Sequence, residues 1–221
     1  NEVGFNRPRG FESHRLRQMP ATNQTKIENE IMREYEQSLI IPMQPHRKLF
    51  ILCPVGIIGA GKTTVLKPLA QKLSLVRISG DEVRRMLKER GLGYGAVVRI
   101  AGELSRKYFA RGYSEALDSD AASPRSKSVI ENAECEFGAV PIWIHINPPE
   151  EFILHKLRTH KHTWLFKDAN AAIANYRKRK ALHEHLNMPF IYTFDTSRDD
   201  LSIQIDEATE LIRDAVKLLE A

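Results

Sequence analysis

Short apolar runs and amphipathic stretches alternate along most of the chain. Leu49-Phe50-Ile51-Leu52-Cys53-Pro54-Val55 is an unbroken apolar run that ends at a glycine. That is the pattern of a strand buried on both faces. Further strands are predicted at Leu75–Ile78, Tyr113–Leu117, Ile142–Ile146 and Phe190–Phe194, the third weak and unusually polar. Helical spacing fills the intervals at about 61–73, 81–90, 96–111, 124–137, 149–158, 168–185 and 200–219. Ser123-Pro124 and Asp168 have the chemistry of helix starts. Pro68 removes a backbone donor inside the first of these helices and predicts a kink. Strands alternating with helices predict an α/β, three-layer fold with a five-stranded parallel sheet. In such sheets ligands sit beyond the carboxyl ends of the strands, so functional residues belong just after them.

The first 48 residues read differently. Residues 1–23 hold Pro8, Gly10, Pro20 and four arginines with few apolar anchors, and read as a loose tail. Ile27, Ile31, Tyr35 and Leu39 follow at steps of four, one apolar stripe on a helix over 24–39. That stripe suits packing on the chain's own core, with a partner-binding or dimerising role as the alternative. Pro42 and Pro45 end the helix. The expected division is therefore 1–48 (tail, helix and linker) and 49–221 (the α/β domain). Asn1 in place of Met makes a trimmed or fragmentary N-terminus an expectation.

The first strand runs directly into Gly56-Ile57-Ile58-Gly59-Ala60-Gly61-Lys62-Thr63-Thr64. This fits G-x-x-x-x-G-K-[ST] at every fixed position. Glycines allow backbone angles that aim successive N–H groups into one concavity. The helix that follows adds its positive N-terminal end. Lys62 can reach β- and γ-phosphates, and the Thr63 hydroxyl can coordinate Mg²⁺. Residues 56–64 are thus the expected binding loop for ATP with its magnesium.

With this loop in that context, the sequence resembles the P-loop kinases over about residues 49–219. The likeness is to small ATP-dependent kinases grouped with polynucleotide kinase and zeta-toxin-like proteins. GTPase motifs D-x-x-G and N-K-x-D do not occur, and no apolar strand ends in Asp-Glu as in ATPase motors. The resemblance implies a P-loop NTPase fold and a carboxylate and arginine for the acceptor in Ser79-Gly80-Asp81-Glu82-Val83-Arg84. Asp81 then takes the acceptor's proton and Arg84 binds the acceptor; Asp81 also suits a helix cap. Asp118 and Asp120 follow the third strand, and Asp118 is the expected holder of a magnesium-bound water. The D-G-F-P-R signature of adenylate kinases is missing, with Pro124-Arg125 a faint echo. The resemblance also implies a basic lid at about 155–185. Arg158 is the one arginine in His155–Lys161 and is the expected cation for the transferring phosphoryl group. Arg177 to Lys180 read as a solvated helix face. Thr196-Ser197-Arg198 is implied to lie near the adenine.

The implied function is transfer of the γ-phosphoryl group of Mg-ATP to a hydroxyl acceptor, with Lys62, Asp81 and Arg158 as catalytic groups. The acceptor stays open between a small metabolite, a nucleotide sugar and a polynucleotide 5′-hydroxyl. Two alternatives stand beside it: a nucleotide-dependent binding or regulatory protein without transfer, and a nucleoside monophosphate kinase-like enzyme.

Charge sharpens this picture. The 221 residues carry a net charge of +5. Segment 155–185 has eight Lys/Arg against two acids, and the remainder 25 against 26. The excess is confined to the expected lid, where a triphosphate needs it, rather than spread as on a nucleic-acid-coating surface. Cys53 and Cys135 are too few for a disulfide scaffold or a four-ligand zinc site, so a reducing, cytoplasmic setting is the default. No apolar segment is long enough to span a bilayer, so no membrane partner is expected.

Overall fold

The computed structural model describes residues 21–159, 165–183 and 185–220. Residues 1–20 of the tail expected at 1–23, and His160, Lys161 and Glu184 of the expected lid, lie outside the described residues, while residues 21–23 already belong to a helix. Five strands are present: β1 (Phe50–Val55), β2 (Val76–Ser79), β3 (Glu115–Asp118), β4 (Val140–Ile146) and β5 (Phe190–Phe194). All pairings are parallel, and the order across the sheet is β2-β3-β1-β4-β5. The helices are α1 (Ala21–Ser38), α2 (Lys62–Lys72), α3 (Gly80–Glu89), α4 (Val97–Ala110), α5 (Pro124–Phe137), α6 (Glu150–Thr159), α7 (Ala169–His183) and α8 (Leu201–Glu220). This is the three-layer α/β fold that the alternation predicts, and it is the P-loop NTPase fold that the resemblance implies.

Alternate residues of β1 serve opposite faces, as the period of two requires. Leu52 joins Val65, Leu66 and Leu69 of α2, Ile153 and Leu157 of α6, Ala172 and Tyr176 of α7, and Ala208 and Ile212 of α8. Ile51, Cys53 and Val55 join Phe109 of α4 and Ile130 and Ala133 of α5. Pro54 sits in a central strand, normally excluded for want of an N–H. Its ladder with β3 has already ended at Leu52, and the Pro54 carbonyl instead accepts from the Ala121 N–H at 2.8 Å. Cys53 is buried, Cys135 is exposed, and both are free thiols. Among the described residues no helix is long and apolar enough to cross a membrane.

α2 runs through Pro68 to Lys72, as the helical spacing over 61–73 predicts. One expectation changes on the way to the site. Tyr113–Leu117, expected as a weak polar strand, begins at Glu115, and all four residues of β3 are buried.

The stripe on α1 packs on the chain's own core. Ile31 and Tyr35 are buried with Val83 and Leu87 of α3 and Ile100 and Leu104 of α4. The Tyr35 hydroxyl accepts the Ser79 N–H at 2.6 Å, and burial pushes its pKa well above the ordinary phenol value. Ser79 ends β2 and caps α3, so this bond fixes the turn that presents Asp81. Tyr35→Phe leaves a buried N–H without its acceptor. The expected loss is about 1–3 kcal/mol, read as a lower urea midpoint at unchanged slope.

Candidate active site

The loop after β1 has the shape that its glycines allow. Gly61, with φ of 95°, stands at the N-terminus of α2 and supplies no side-chain cap. The helix's first N–H groups are thus left to an anion. A Cβ at Gly61 would lie 3.0 Å from the Thr196 hydroxyl oxygen, and one at Gly56 would lie 2.9 Å from the Ile146 carbonyl oxygen. The loop is therefore wedged between the ends of β4 and β5. Thr196 fastens it by donating to the Ala60 carbonyl at 2.6 Å.

Lys62 folds back over the loop. Its Nζ donates to the carbonyls of Gly56 at 2.7 Å and Ile57 at 3.2 Å. Burial lowers its pKa, against the opposing pull of Asp120, Asp81 and Asp118. Thr63, the next residue, donates its hydroxyl to Asp118 Oδ1 at 3.0 Å. The other oxygen of Asp118 is held by Arg77, whose second nitrogen binds Glu82 Oε1 at 2.6 Å. Burial raises the Asp118 pKa despite that arginine and the Thr63 hydrogen bond. A hydroxyl and a carboxylate side by side next to a phosphate loop are hard oxygen donors, the set that suits Mg²⁺. Thr63 and Asp118 thus fit the metal expected of them. Among the described residues there is no cluster of three or more His, Cys, Asp or Glu able to hold a metal by itself.

Asp120 forms a second knot. It receives the Gly56 N–H at 3.5 Å, faces His183 Nε2 at 3.1 Å and lies 3.8 Å from Arg179. Burial opposes its ionisation, but the His183 hydrogen bond and the Lys62 charge outweigh that and hold its pKa low. The loop is thereby tied to α7 through one carboxylate.

Across from the loop stands α3. Ser79 caps it, accepting from the Glu82 N–H at 3.4 Å. Capping is thus not the task of Asp81, which lies in the first turn, half exposed and paired with Arg84 one turn on. An open cavity of about 700 Å³ lies between these parts. Lys62, Thr63, Asp81, Arg84 and Asp118 all line it, together with Arg125, Lys156 and Arg179. That volume is in the range of small-molecule and cofactor sites.

The cations differ from the sequence expectation. Arg158 is exposed at the end of α6 and is not among the described residues lining the cavity. Lys156, two residues earlier, lines it, as does Arg179 from the run expected to be a solvated face. Lys180 of that run points to Glu150 at 2.6 Å. The sequence reading also missed Arg77 and His183. The missed signal on α7 is its spacing: Ala172, Tyr176, Arg179 and His183 recur at steps of four, three and four, one face of a helix whose first two members are buried.

A protein family described as an AAA domain matches residues 51–186. No curated protein matches the chain in sequence. In fold the chain is similar to a sugar kinase from a Janibacter species, at 15% identity and a TM-score of 0.52 over 75% of this chain and 95% of that one. A candidate kinase from Chloroflexus aurantiacus is similar at 16% identity and 0.58, over 74% and 98% respectively. The APS kinase of Mycobacterium tuberculosis, in complex with AMPPNP and APS, is similar at 14% and 0.50, over 77% and 99%. At these identities the likeness is one of fold.

Proposed function

The chain belongs to the AAA-domain family, and from that premise and the geometry of its cavity we propose that it is an ATP-dependent kinase of a hydroxyl-bearing acceptor. One observation carries this reading. The phosphate loop and an acceptor-type Asp–Arg pair on the next helix, α3, line the same cavity. A nucleotide-binding protein without transfer needs only the first of these.

The residues divide the work as follows. The loop at 56–64 holds the triphosphate through its N–H groups and Lys62. Thr63 and Asp118 would hold Mg²⁺, which neutralises phosphate charge when bound. Asp81 orients the acceptor hydroxyl and takes its proton as the oxygen attacks the γ-phosphorus. The new O–P bond forms while the bond to the β-phosphate oxygen breaks, and ADP leaves. Lys62, Lys156 and Arg179 face the charge that spreads over the transferring group. A role for Arg158 requires α6 and the segment after it to bring that side chain over the cavity. Arg84 binds the acceptor beside Asp81.

Incubation with labelled Mg-ATP and a pool of small metabolites, followed by identification of the labelled product, tests the reading. A phosphorylated small molecule is expected; nucleotide binding with release of phosphate to water alone would favour the regulatory alternative. That alternative draws on one feature, the pairing of both key carboxylates, Asp81 with Arg84 and Asp118 with Arg77. A polynucleotide acceptor would show steep salt dependence of binding, and none is expected, because the charge excess is confined to residues 155–185.

Arg179→Ala removes a cavity cation and one partner of Asp120. Its side chain is about half exposed, so stability should hold. The transfer rate is expected to fall roughly 10²-fold with little change in melting temperature. An unchanged rate would return Arg179 to the solvated face.

A further inference from the structure

Glu115 is the one buried side-chain group with an unmet polar atom among the described residues. It sits at the start of β3 and is 1% exposed. Its Oε2 accepts from the Ser105 hydroxyl of α4, while its Oε1 has no partner. Burial pushes its pKa up to about 8, so the carboxyl is mostly neutral at physiological pH and can donate as well as accept. Leaving such an oxygen unmet is costly, and a leucine would fill the same place without that cost.

Glu115 also lines a small chamber between α4 and α5. Its other walls include Val97, Ala101, Leu117 and Val129, with a volume of about 40 Å³. Arg84, Ser119, Arg125 and Ser126 line both this chamber and the main cavity, so the two adjoin at that point. Arg125 is exposed there and has no ion-pair partner among the described residues. The two arginines at the mouth disfavour a cationic ligand and favour an anion. The chamber has room for roughly three water-sized groups, which excludes a sugar ring or a nucleobase.

On the kinase reading above, we propose that this chamber selects the acceptor: a small anionic molecule whose phosphate or carboxylate meets Arg84 and Arg125 and whose short hydroxylated arm enters to hydrogen-bond Glu115. Neutrality of the Glu115 carboxyl lets an anion approach without repulsion. The apolar walls make the hydroxyl's partner specific, because an arm without one leaves the Glu115 oxygen unmet. Glu115 is on this view a specificity residue that touches the acceptor away from the reacting atoms.

The test is calorimetric binding to the AMPPNP-loaded protein, which does not depend on transfer. The probes are glycerol 3-phosphate, propyl phosphate, glycerate, propionate and glycerol. The hydroxylated anions are expected to bind at least about tenfold more tightly than their hydroxyl-free partners, with glycerol weakest. Phosphate and carboxylate arms of the panel separate the two anion types. Ala101→Leu fills the chamber from α4 without touching Glu115, and Glu115→Leu removes the polar floor. Each should erase the preference for hydroxylated probes and leave AMPPNP binding unchanged, while Glu115→Gln should keep much of it. Arg125→Ala should weaken all anionic probes alike. If Glu115→Leu fails to fold, Ala101→Leu carries the test. Equal binding of hydroxylated and plain anions, no binding of either, or indifference to Ala101→Leu would overturn the proposal and leave the chamber to water. Selective binding here, with no labelled product from Mg-ATP and the metabolite pool, would instead fault the kinase reading and leave the chamber standing.

Discussion

Lys62→Ala is expected to abolish transfer, by 10³-fold or more, and to weaken ATP binding by about 10- to 100-fold. Two effects combine. Lys62 is the loop's only cation, so its loss removes the charge aimed at the β- and γ-phosphates. Asp81, Asp118 and Asp120 also lose the positive charge they act upon. Each of the three keeps another basic partner (Arg84, Arg77, and Arg179 with His183), but the charge that Lys62 sets between them and the triphosphate is gone. Folding should be largely intact, because the lysine's present partners are two loop carbonyls, Gly56 and Ile57, at the rim of an open cavity. Binding of a fluorescent ATP analogue, beside a thermal melt, checks the prediction. Tight ATP binding by the variant would mean that backbone N–H groups alone hold the triphosphate.

The phosphate loop was legible in sequence because its chemistry is contiguous. Nine consecutive residues specify a strand exit, positive φ at Gly59 and Gly61, and a helix start. β5 was equally legible, and Phe190–Phe194 is the strand that the apolar run predicts. β3 was obscured by its own acids. Glu115 and Asp118 make it look solvated, yet both are buried, their charge met by Ser105, Thr63 and Arg77 or removed by a raised pKa. Arg77 was hidden for a related reason, since a charged residue inside a strand carries no motif until its partner strand is known. The basic run on α7 reads by residue type as one solvated face, but the phase of the helix divides it. Arg177 to Lys180 contains both a cavity cation, Arg179, and a surface pair, Lys180–Glu150. Only the phase set by Ala172 and Tyr176 tells them apart.

Asp81→Asn separates chemistry from binding. Asn keeps the size of the side chain and an oxygen that can face Arg84, but it cannot take a proton. Helix α3 should persist, because Ser79 supplies its cap. ATP binding should also persist, since Asp81 faces the loop from across the cavity. The expected result is a fall in kcat of roughly 10²- to 10⁴-fold, the usual worth of a positioned base. The acceptor KM should not rise. Arg84 loses its ion-pair partner and so becomes a stronger site for an anionic acceptor. A purely structural role for Asp81 would move the other way, with lower stability and a raised KM at unchanged kcat. Steady-state kinetics with the acceptor found by product labelling, beside a thermal melt, decide between them. Full activity in Asp81→Asn would remove the proposed base and leave catalysis to positioning and the cations around the transferring group.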